Sequence, residues 1–212
     1  MSKVTTAIVD YGLGNVASVH NALTHLGTEV TLSSDFSVLD QADCLILPGV
    51  GSFEDGMKKL HHLNLIPILN ELVINKGKPI LGICLGMQLM AKRGFENGEF
   101  EGLGWLDAEV QKLSVSGVKI PHVGWNETNI SRSSKLWPEV TTQCFYYVHS
   151  YHIVCNDPSD VAAICHHGEN FTAAIERHNI MGVQFHPEKS QKDGLAVLKA
   201  FLTAARGAEI LC

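Results

Sequence analysis

The stretch Gly-Ile-Cys-Leu-Gly at residues 82–86 constrains the fold of this chain more than any other feature. A thiol lies between two glycines, directly after the short apolar run 79–81 and before a segment with helical patterning. At such a strand-to-helix turn the nucleophile has a strained backbone, and its neighbours must be small so that strand and helix can pass closely. The pattern therefore predicts a nucleophile elbow, with Cys84 at the edge of a sheet.

The residues after the cysteine predict a helix over 85–93, because Leu85, Leu89 and Met90 fall near one face. A helix that begins here would direct the positive end of its dipole at the sulfur, which favours the thiolate form of a cysteine. The alternative is a structural role, since free cysteines are among the most buried residues. Cys84 alone does not decide between these interpretations, and a partner base is needed.

A candidate base lies in the stretch Gln-Phe-His-Pro-Glu-Lys-Ser at residues 184–190. Residues 183–185 are typical of a buried strand, and His186 and Glu188 follow it with a stiffening proline between them. Histidine supplies a base near neutral pH, and a neighbouring carboxylate fixes its tautomer and orientation. Alone, His186 would be an ordinary strand-end histidine. Together with the elbow, it predicts a catalytic triad of Cys84, His186 and Glu188.

The segments 82–88 and 184–190 resemble those of the class I, triad-type glutamine amidotransferases, and the resemblance runs the full length of the chain. The loops at 10–15, 47–53, 121–126 and 147–151 resemble more narrowly the glutaminase subunits of imidazole glycerol phosphate synthases. Related glutaminases usually carry other residues after the Pro-Gly pair of the second loop. The anthranilate type has Pro-Gly-Pro-Gly there, and the pyridoxal phosphate type has Pro-Gly-Gly-Glu.

This resemblance implies that the chain hydrolyses glutamine through a covalent intermediate. The Cys84 thiolate would attack the side-chain amide carbon, and His186 would protonate the nitrogen so that ammonia leaves. Water activated by the same histidine would then hydrolyse the γ-glutamyl thioester and release glutamate.

The resemblance also implies which residues bind the oxyanion and the substrate. The backbone N–H of Leu85 would be one oxyanion donor, and the loop that contains Val50 and Gly51 would supply the other. Gln88 lies one helical turn beyond the nucleophile, so its amide would return toward the site. The remaining predicted glutamine-binding residues are Gly49, Ser150 and Tyr151, of which the last two would meet the α-amino and carboxylate groups.

By the same resemblance, the ammonia acceptor lies on a separate cyclase subunit of (β/α)₈ barrel type. A chain of 212 residues is too short for such a barrel of ~250 residues, so a heterodimer is expected. Ammonia would cross the interface in an enclosed channel, and the cyclase would make imidazole glycerol phosphate and an aminoimidazole ribonucleotide in histidine biosynthesis. The predicted interface residues are Asn15, Trp125, Lys189, and Tyr146 or Tyr147.

Strand and helix patterns alternate in the first half of the chain, with strands predicted at 7–9, 30–32, 44–47 and 80–83 and helices at 16–26 and 57–75. Such alternation predicts a parallel sheet with helices on both faces. Short extended segments follow at 106–113, 126–130, 144–148, 161–165 and 173–176, and a last helix is predicted at 194–205. We therefore expect one flavodoxin-like α/β domain over 1–212, with an open, mixed, mainly parallel sheet and a strand-rich C-terminal half.

Composition excludes several other classes of protein. A net charge of −6 without a basic run gives no footprint for nucleic acid, and no stretch reaches the ~20 apolar residues of a membrane span. The N-terminus lacks the apolar region of a secretory signal, so a cytoplasmic location is expected. Six cysteines without a Cys-x-x-Cys pair indicate reduced thiols, with neither zinc nor disulfides. No cofactor is expected.

The sequence leaves several other functions open. The stretch Gly-Leu-Gly-Asn-Val-Ala at 12–17 fits a loose dinucleotide fingerprint, with Asp35 near the position of a ribose-binding acid. A glutaminase that serves another ammonia acceptor, or a non-catalytic relative that keeps the fold, are further alternatives. The histidines at 61–62 and 166–167 suggest a metal site, but adjacent residues point in different directions and make a poor ligand set.

Overall fold

A computed structural model describes residues 3–114, 117–137 and 142–208. The strands, in chain order, are β1 (Thr5–Val9), β2 (Glu29–Ser33), β3 (Cys44–Gly49), β4 (Ile80–Cys84), β5 (Ala91–Gly94), β6 (Phe100–Glu101), β7 (Leu106–Lys112), β8 (His122–Ile130), β9 (Thr142–His149), β10 (Tyr151–Cys155), β11 (Val161–His166), β12 (Asn170–Arg177) and β13 (Ile180–Val183). The α-helices are α1 (Val16–His25), α2 (Phe36–Gln41), α3 (Phe53–His62), α4 (Leu65–Leu69), α5 (Leu85–Gln88) and α6 (Gln191–Ala208). A π-helical segment (Asn70–Asn75) follows α4, and 3₁₀ turns cover Pro158–Asp160 and Pro187–Lys189.

A nine-stranded sheet in the order β2-β1-β3-β4-β13-β12-β11-β8-β9 forms the centre of the molecule. Its strands are parallel from β2 through β13, and antiparallel from β13 through β9. A smaller sheet has the order β10-β7-β5-β6. The predicted fold class is confirmed, and the predicted strand-rich region corresponds to the antiparallel half and the smaller sheet.

Both faces of the central sheet are covered, as the apolar residues of β1 show. Ile8 belongs to a core that includes buried residues of α1 and α6, whereas Ala7 and Val9 belong to a second core with residues of α2, α3 and α4. Successive residues of a strand point to opposite faces, so a continuous apolar run is the pattern of a strand buried on both sides. The smaller sheet contributes to the second core.

The helix predicted over 85–93 is wrong beyond Gln88, where α5 ends after one turn. The backbone carbonyls of residues 89–92 accept hydrogen bonds from backbone N–H groups of residues 102–106. These bonds tie the chain after α5 to residues 102–106, so it continues into β5 in place of further helical turns. The predicted helix over 57–75 is also interrupted, because Asn64 is left-handed (φ 51°) between α3 and α4. The strand predicted at 183–185 ends at Val183.

Membrane spans and metal clusters are absent from the part of the chain that the structure describes. No helix within residues 3–114, 117–137 and 142–208 is long and apolar enough to cross a membrane. In the same ranges no three His, Cys, Asp or Glu side chains are grouped so that they could hold a metal ion.

Candidate active site

Cys84 lies at the junction of β4 and α5 with φ 53° and ψ −110°, the strained conformation that an elbow requires. The two flanking glycines are required by space. A Cβ on Gly86 would overlap the carbonyl oxygen of Leu47, and a Cβ on Gly82 would lie 2.7 Å from the backbone of Met87. The crossing of β4 and α5 therefore depends on both glycines, and packing fixes the position of the thiol.

His186 and Glu188 follow β13, which lies parallel to β4 with Val183 opposite Ile83. Because parallel strands end at the same sheet edge, His186 lies beside the elbow. His186 Nδ1 and Glu188 Oε1 are 2.9 Å apart, and both side chains are almost fully buried. The backbone is held by a hydrogen bond from the His186 N–H to the Tyr146 carbonyl (2.9 Å). The predicted triad residues are thus brought to one place.

The charge state of His186 depends on three effects. Burial lowers its pKa, but the Cys84 thiol and the Glu188 carboxylate together outweigh burial and raise the pKa to about 9. The imidazolium is therefore favoured at neutral pH. His186 Nε2 and Glu188 Oε2 are buried without a hydrogen-bond partner among the described residues. Nε2 is consequently the nitrogen left to exchange a proton with a bound molecule.

The sulfur of Cys84 contacts polar groups that sequence reasoning missed. It lies 3.9 Å from the carbonyl oxygen of Val148, and Gln184 Nε2 donates to it at 3.5 Å. The Oε1 atom of Gln184 in turn accepts a hydrogen bond from Gln88 Nε2 at 3.0 Å. Gln184 falls within the stretch 183–185 that the sequence predicts to be a buried strand. A polar amide there signals a specific hydrogen-bond partner, since buried polar groups are usually hydrogen-bonded.

A cavity of about 360 Å³ opens in front of Cys84. Six of the predicted oxyanion and substrate residues line it: Val50, Gly51, Leu85, Gln88, Ser150 and Tyr151. Four lining residues were not predicted: Glu96, Pro121, Val148 and His149. Gln88 Nε2 donates to the backbone carbonyl of Tyr151 at 2.8 Å, which ties the helix after the nucleophile to the opposite wall of the cavity.

The predicted oxyanion donors come from two different environments. The N–H of Leu85 is the first of α5 and therefore has no acceptor within the helix. Val50 is 41% exposed, and Gly51 has φ 112° with open space around the position of a Cβ. Gly49 does not line the cavity, and a Cβ there would lie 2.8 Å from that of Leu85. Packing against the elbow explains this glycine, and its role in binding glutamine stays a prediction.

Glu96 is the one carboxylate among the described residues that line the cavity. Its Oε2 accepts a hydrogen bond from the backbone N–H of Phe53 at 2.8 Å, in the first turn of α3. The carboxylate therefore fixes the point at which the Val50 loop enters α3. No sequence signal singled it out, because it lies in an irregular segment.

The interface candidates fall into three groups. Trp125 is 48% exposed, its ring meets that of Tyr146 edge-on at 6.1 Å, and Lys189 Nζ lies 5.8 Å from the Tyr146 ring. These three residues form a surface cluster next to Glu188. Tyr147 was the wrong alternative to Tyr146, because it is buried and its hydroxyl is hydrogen-bonded to Thr128. Asn15 is half-buried and precedes α1.

The residues of the dinucleotide alternative have structural explanations. A Cβ on Gly14 would lie 3.1 Å from Pro48 Cβ, so the glycine allows close contact with the end of β3. Asp35 caps α2, where Oδ1 accepts from the backbone N–H of Ser37 at 2.8 Å. Neither residue is left without a local role.

Comparison with known proteins agrees with this geometry. The family model described as glutamine amidotransferase class-I matches residues 7–205. The chain is 48% identical to imidazole glycerol phosphate synthase subunit HisH of Aquifex aeolicus over 92% of this chain and 95% of the relative. It is 42% identical to subunit HisH 2 of Methanococcus maripaludis over 94% of this chain and 99% of that relative.

Two solved structures share the fold. PurLQS from Thermotoga maritima superposes with a TM-score of 0.75 at 21% identity, over 96% of this chain and 99% of the matched chain. A crystal structure of a glutamine amidotransferase gives a TM-score of 0.74 at 18% identity, over 94% of this chain and 98% of the other. From the family match and the identity to the HisH relatives together, the chain belongs to the class I glutamine amidotransferase family.

Proposed function

We propose that this chain is the glutaminase subunit of an imidazole glycerol phosphate synthase. It hydrolyses glutamine to glutamate and ammonia. The observation that carries the proposal is the elbow cysteine beside the His186–Glu188 pair, open to a cavity large enough for one amino acid. The relatives from Aquifex aeolicus and Methanococcus maripaludis, at 48% and 42% identity, are named as this subunit.

Hydrolysis begins with attack of the Cys84 thiolate on the side-chain amide carbon of glutamine. The raised pKa of His186 keeps its imidazolium available, so Nε2 donates its proton to the amide nitrogen and ammonia leaves. Glu188 holds the ring through Nδ1 and stabilises the positive charge. A γ-glutamyl thioester remains on Cys84. Neutral His186 then takes a proton from water, which attacks the thioester and releases glutamate.

Two backbone donors stabilise the tetrahedral oxyanions. The Leu85 N–H is fixed by the elbow, and the second donor comes from the Val50–Gly51 loop. Loss of one such donor costs ~10² to 10³ in rate. A loop that turns its donor toward or away from the site therefore switches glutamine hydrolysis on or off.

Glutamine is oriented by groups around the cavity. Gln88, Ser150 and Tyr151 bind the substrate, and we add Glu96, whose carboxylate provides the negative charge that an α-ammonium group requires. Gly49 does not line the cavity, and we propose that it supports the substrate site by allowing the end of β3 to pack against the elbow.

The partner is a cyclase subunit of (β/α)₈ barrel type, in a heterodimer. Free ammonia would become ammonium in water at neutral pH, so it travels through an enclosed channel to the cyclase active site. The cyclase then makes imidazole glycerol phosphate in histidine biosynthesis. The surface cluster of Trp125, Tyr146 and Lys189, together with Asn15, is the proposed interface. We further propose that residues 1–212 form one amidotransferase domain that works in the cytoplasm.

The test is glutamate release from glutamine by the purified chain, alone and with a cyclase subunit plus its nucleotide ligand. Activity that requires both is the expected result, because the partner and its ligand select the loop conformation with the oxyanion donor in place. Strong activity of the isolated chain would contradict the gating. No activity under any condition would refute the proposed function.

A further inference from the structure

A continuous series of hydrogen bonds leads from the surface of β8 to the back of the glutamine-sized cavity. Asn126 Nδ2 lies 3.2 Å from His122 Nε2, and His122 Nδ1 lies 3.0 Å from His149 Nε2. His149 Nδ1 lies 2.9 Å from the carbonyl oxygen of Tyr151, which also accepts from Gln88 Nε2 at 2.8 Å. His149 lines the cavity, and neither histidine has a part in the triad.

The inner end of this series has a fixed direction. A backbone carbonyl only accepts hydrogen bonds, so His149 must carry a proton on Nδ1 to bond with Tyr151. If His149 is neutral, its Nε2 is then an acceptor. The nitrogen of His122 that faces it must therefore be a donor.

The outer end is fixed independently. Asn126 Oδ1 accepts from the backbone N–H of Glu127 at 2.9 Å, and Asn126 Nδ2 donates to the carbonyl oxygen of His166 at 2.8 Å. These two partners determine which atom of the amide is nitrogen, so Asn126 can only donate to His122 Nε2. Neutral His122 then carries its proton on Nδ1, as the inner end requires.

The surroundings keep both histidines neutral. His122 is stacked against the rings of His167 (4.1 Å) and Tyr147 (4.9 Å), and His149 contacts Phe171 at 4.8 Å. Burial lowers the pKa of His149 to about 3, and burial followed by the charge of His167 lowers the pKa of His122 to about 4. Each proton in the series therefore has one position at neutral pH.

We propose that His122 and His149 are positioning residues that hold the Tyr151 carbonyl against Gln88 and so shape the glutamine-binding wall. This inference rests on the proposed function, because the occupant of the cavity is glutamine. Gln88 Nε2 donates one hydrogen bond to the Tyr151 carbonyl and one to Gln184 Oε1. Both N–H groups of the Gln88 amide are therefore used. Gln88 Oε1 is thereby left to accept a hydrogen bond from the substrate.

The test compares three variants in the complex with the cyclase subunit, in the presence of its nucleotide ligand. His149→Phe keeps a ring but removes both nitrogens, whereas His149→Asn keeps a donor near the position of Nδ1. His152→Phe is the matched control, because His152 is buried on the adjoining strand and its ring faces the same Phe171. We expect His149→Phe to raise the KM for glutamine about tenfold or more with a smaller change in kcat. His149→Asn and the control should stay within about threefold of the wild type.

Equal KM values for His149→Phe and His152→Phe would overturn the inference. A second measurement does not depend on turnover: nitrogen NMR of the full-length wild-type chain should show His122 and His149 as neutral Nδ1–H tautomers at pH 7. Any other tautomer at either residue would also overturn it. Failure of the proposed function looks different, since the wild-type complex would then release no glutamate although both tautomers are as expected.

Discussion

Two neighbouring loops at the same sheet edge, those after β4 and β3, carry the proposed nucleophile and the proposed second oxyanion donor, and they are built in opposite ways. In the elbow after β4, a Cβ on either Gly82 or Gly86 would collide with backbone atoms. In the loop after β3, Gly51 has open space around it, and the side chain of Val50 is 41% exposed. Close packing therefore fixes Cys84, the proposed nucleophile, whereas the loop that we propose to carry the second oxyanion donor has open space at the Cβ position of Gly51.

On the proposed function, this difference separates a fixed part of the site, the elbow that carries Cys84, from an adjustable part, the Val50 loop. Close-packed segments change conformation only with the loss of many contacts, whereas exposed loops open at a much smaller cost in free energy. If the partner subunit gates the site as proposed, it can act on the Val50 loop without moving Cys84. The contrast would then account for a nucleophile that is fixed in place and yet regulated.

The largest effect should follow from Cys84→Ala, which removes the thiol of the packed elbow and leaves the Val50 loop unchanged. We expect the rate of glutamine hydrolysis to fall by at least ~10³, because no thioester can form. Synthesis from added ammonia should remain, since only the ammonia supply is lost. Both rates are measured on the complex with the cyclase subunit. An equal loss of the two would contradict the division of labour between the subunits.

A pair of glycine substitutions tests the contrast directly. Gly86→Ala should lower the free energy of unfolding by about 3 kcal/mol or more, because its Cβ would overlap the Leu47 carbonyl. Gly51→Ala meets no neighbouring atom, so it should cost only the about 1–3 kcal/mol of an unfavourable backbone conformation.

Denaturant unfolding of the two variants measures this difference. Gly51→Ala should in addition lower the rate of glutamine hydrolysis by ~10² or more, through misplacement of an oxyanion donor. An equal decrease in the free energy of unfolding in Gly86→Ala and Gly51→Ala would contradict the distinction between the packed elbow and the open Val50 loop.

The contrast also accounts for what the sequence could predict. The elbow is readable because packing demands glycine at fixed spacing around Cys84, and the buried strands are readable because both faces are apolar. The end of α5 was not readable, because the chain after it is tied by backbone hydrogen bonds to residues 102–106. Pairing with another segment leaves no pattern in the residues of the helix itself.

The supporting polar groups were missed for a related reason. His122 and His149 lie on β8 and β9, 27 residues apart, and meet only because these strands pair with these two residues in register. Gln184 stood within a recognised motif, but the partners of its amide, Cys84 and Gln88, lie 100 and 96 positions away. Sequence patterns thus identify groups that act through local geometry, and they miss those that act through tertiary hydrogen bonds.

The buried pair of His186 and Glu188, next to the elbow, should make the free energy of unfolding depend on pH. The folded pKa of His186, about 9, lies above the usual 6.5, so its contribution is complete below pH 6.5 and lost as pH rises through 9. The shift corresponds to about 3 kcal/mol at most. We expect the difference in unfolding free energy between the wild type and His186→Asn to shrink by up to that amount over this range.

Cys84→Ala provides the control for this titration. Without the thiol, one of the two groups that raise the His186 pKa is absent, so the loss of stability should be smaller and should be complete at lower pH. The same pH dependence with and without the thiol would show that Cys84 does not raise the pKa of His186.

The smallest effect concerns Glu96, the group that joins the adjustable loop to the rest of the site. Its carboxylate accepts from the Phe53 N–H, so Glu96→Ala should lower the free energy of unfolding by about 1 kcal/mol. Glu96→Gln keeps an acceptor oxygen and should lose less than half of that. The charge is nevertheless gone, so the KM for glutamine should rise in both variants if the carboxylate binds the α-ammonium group. Denaturant unfolding and glutaminase kinetics separate the two roles, and an unchanged KM in Glu96→Gln would leave the residue with its capping role alone.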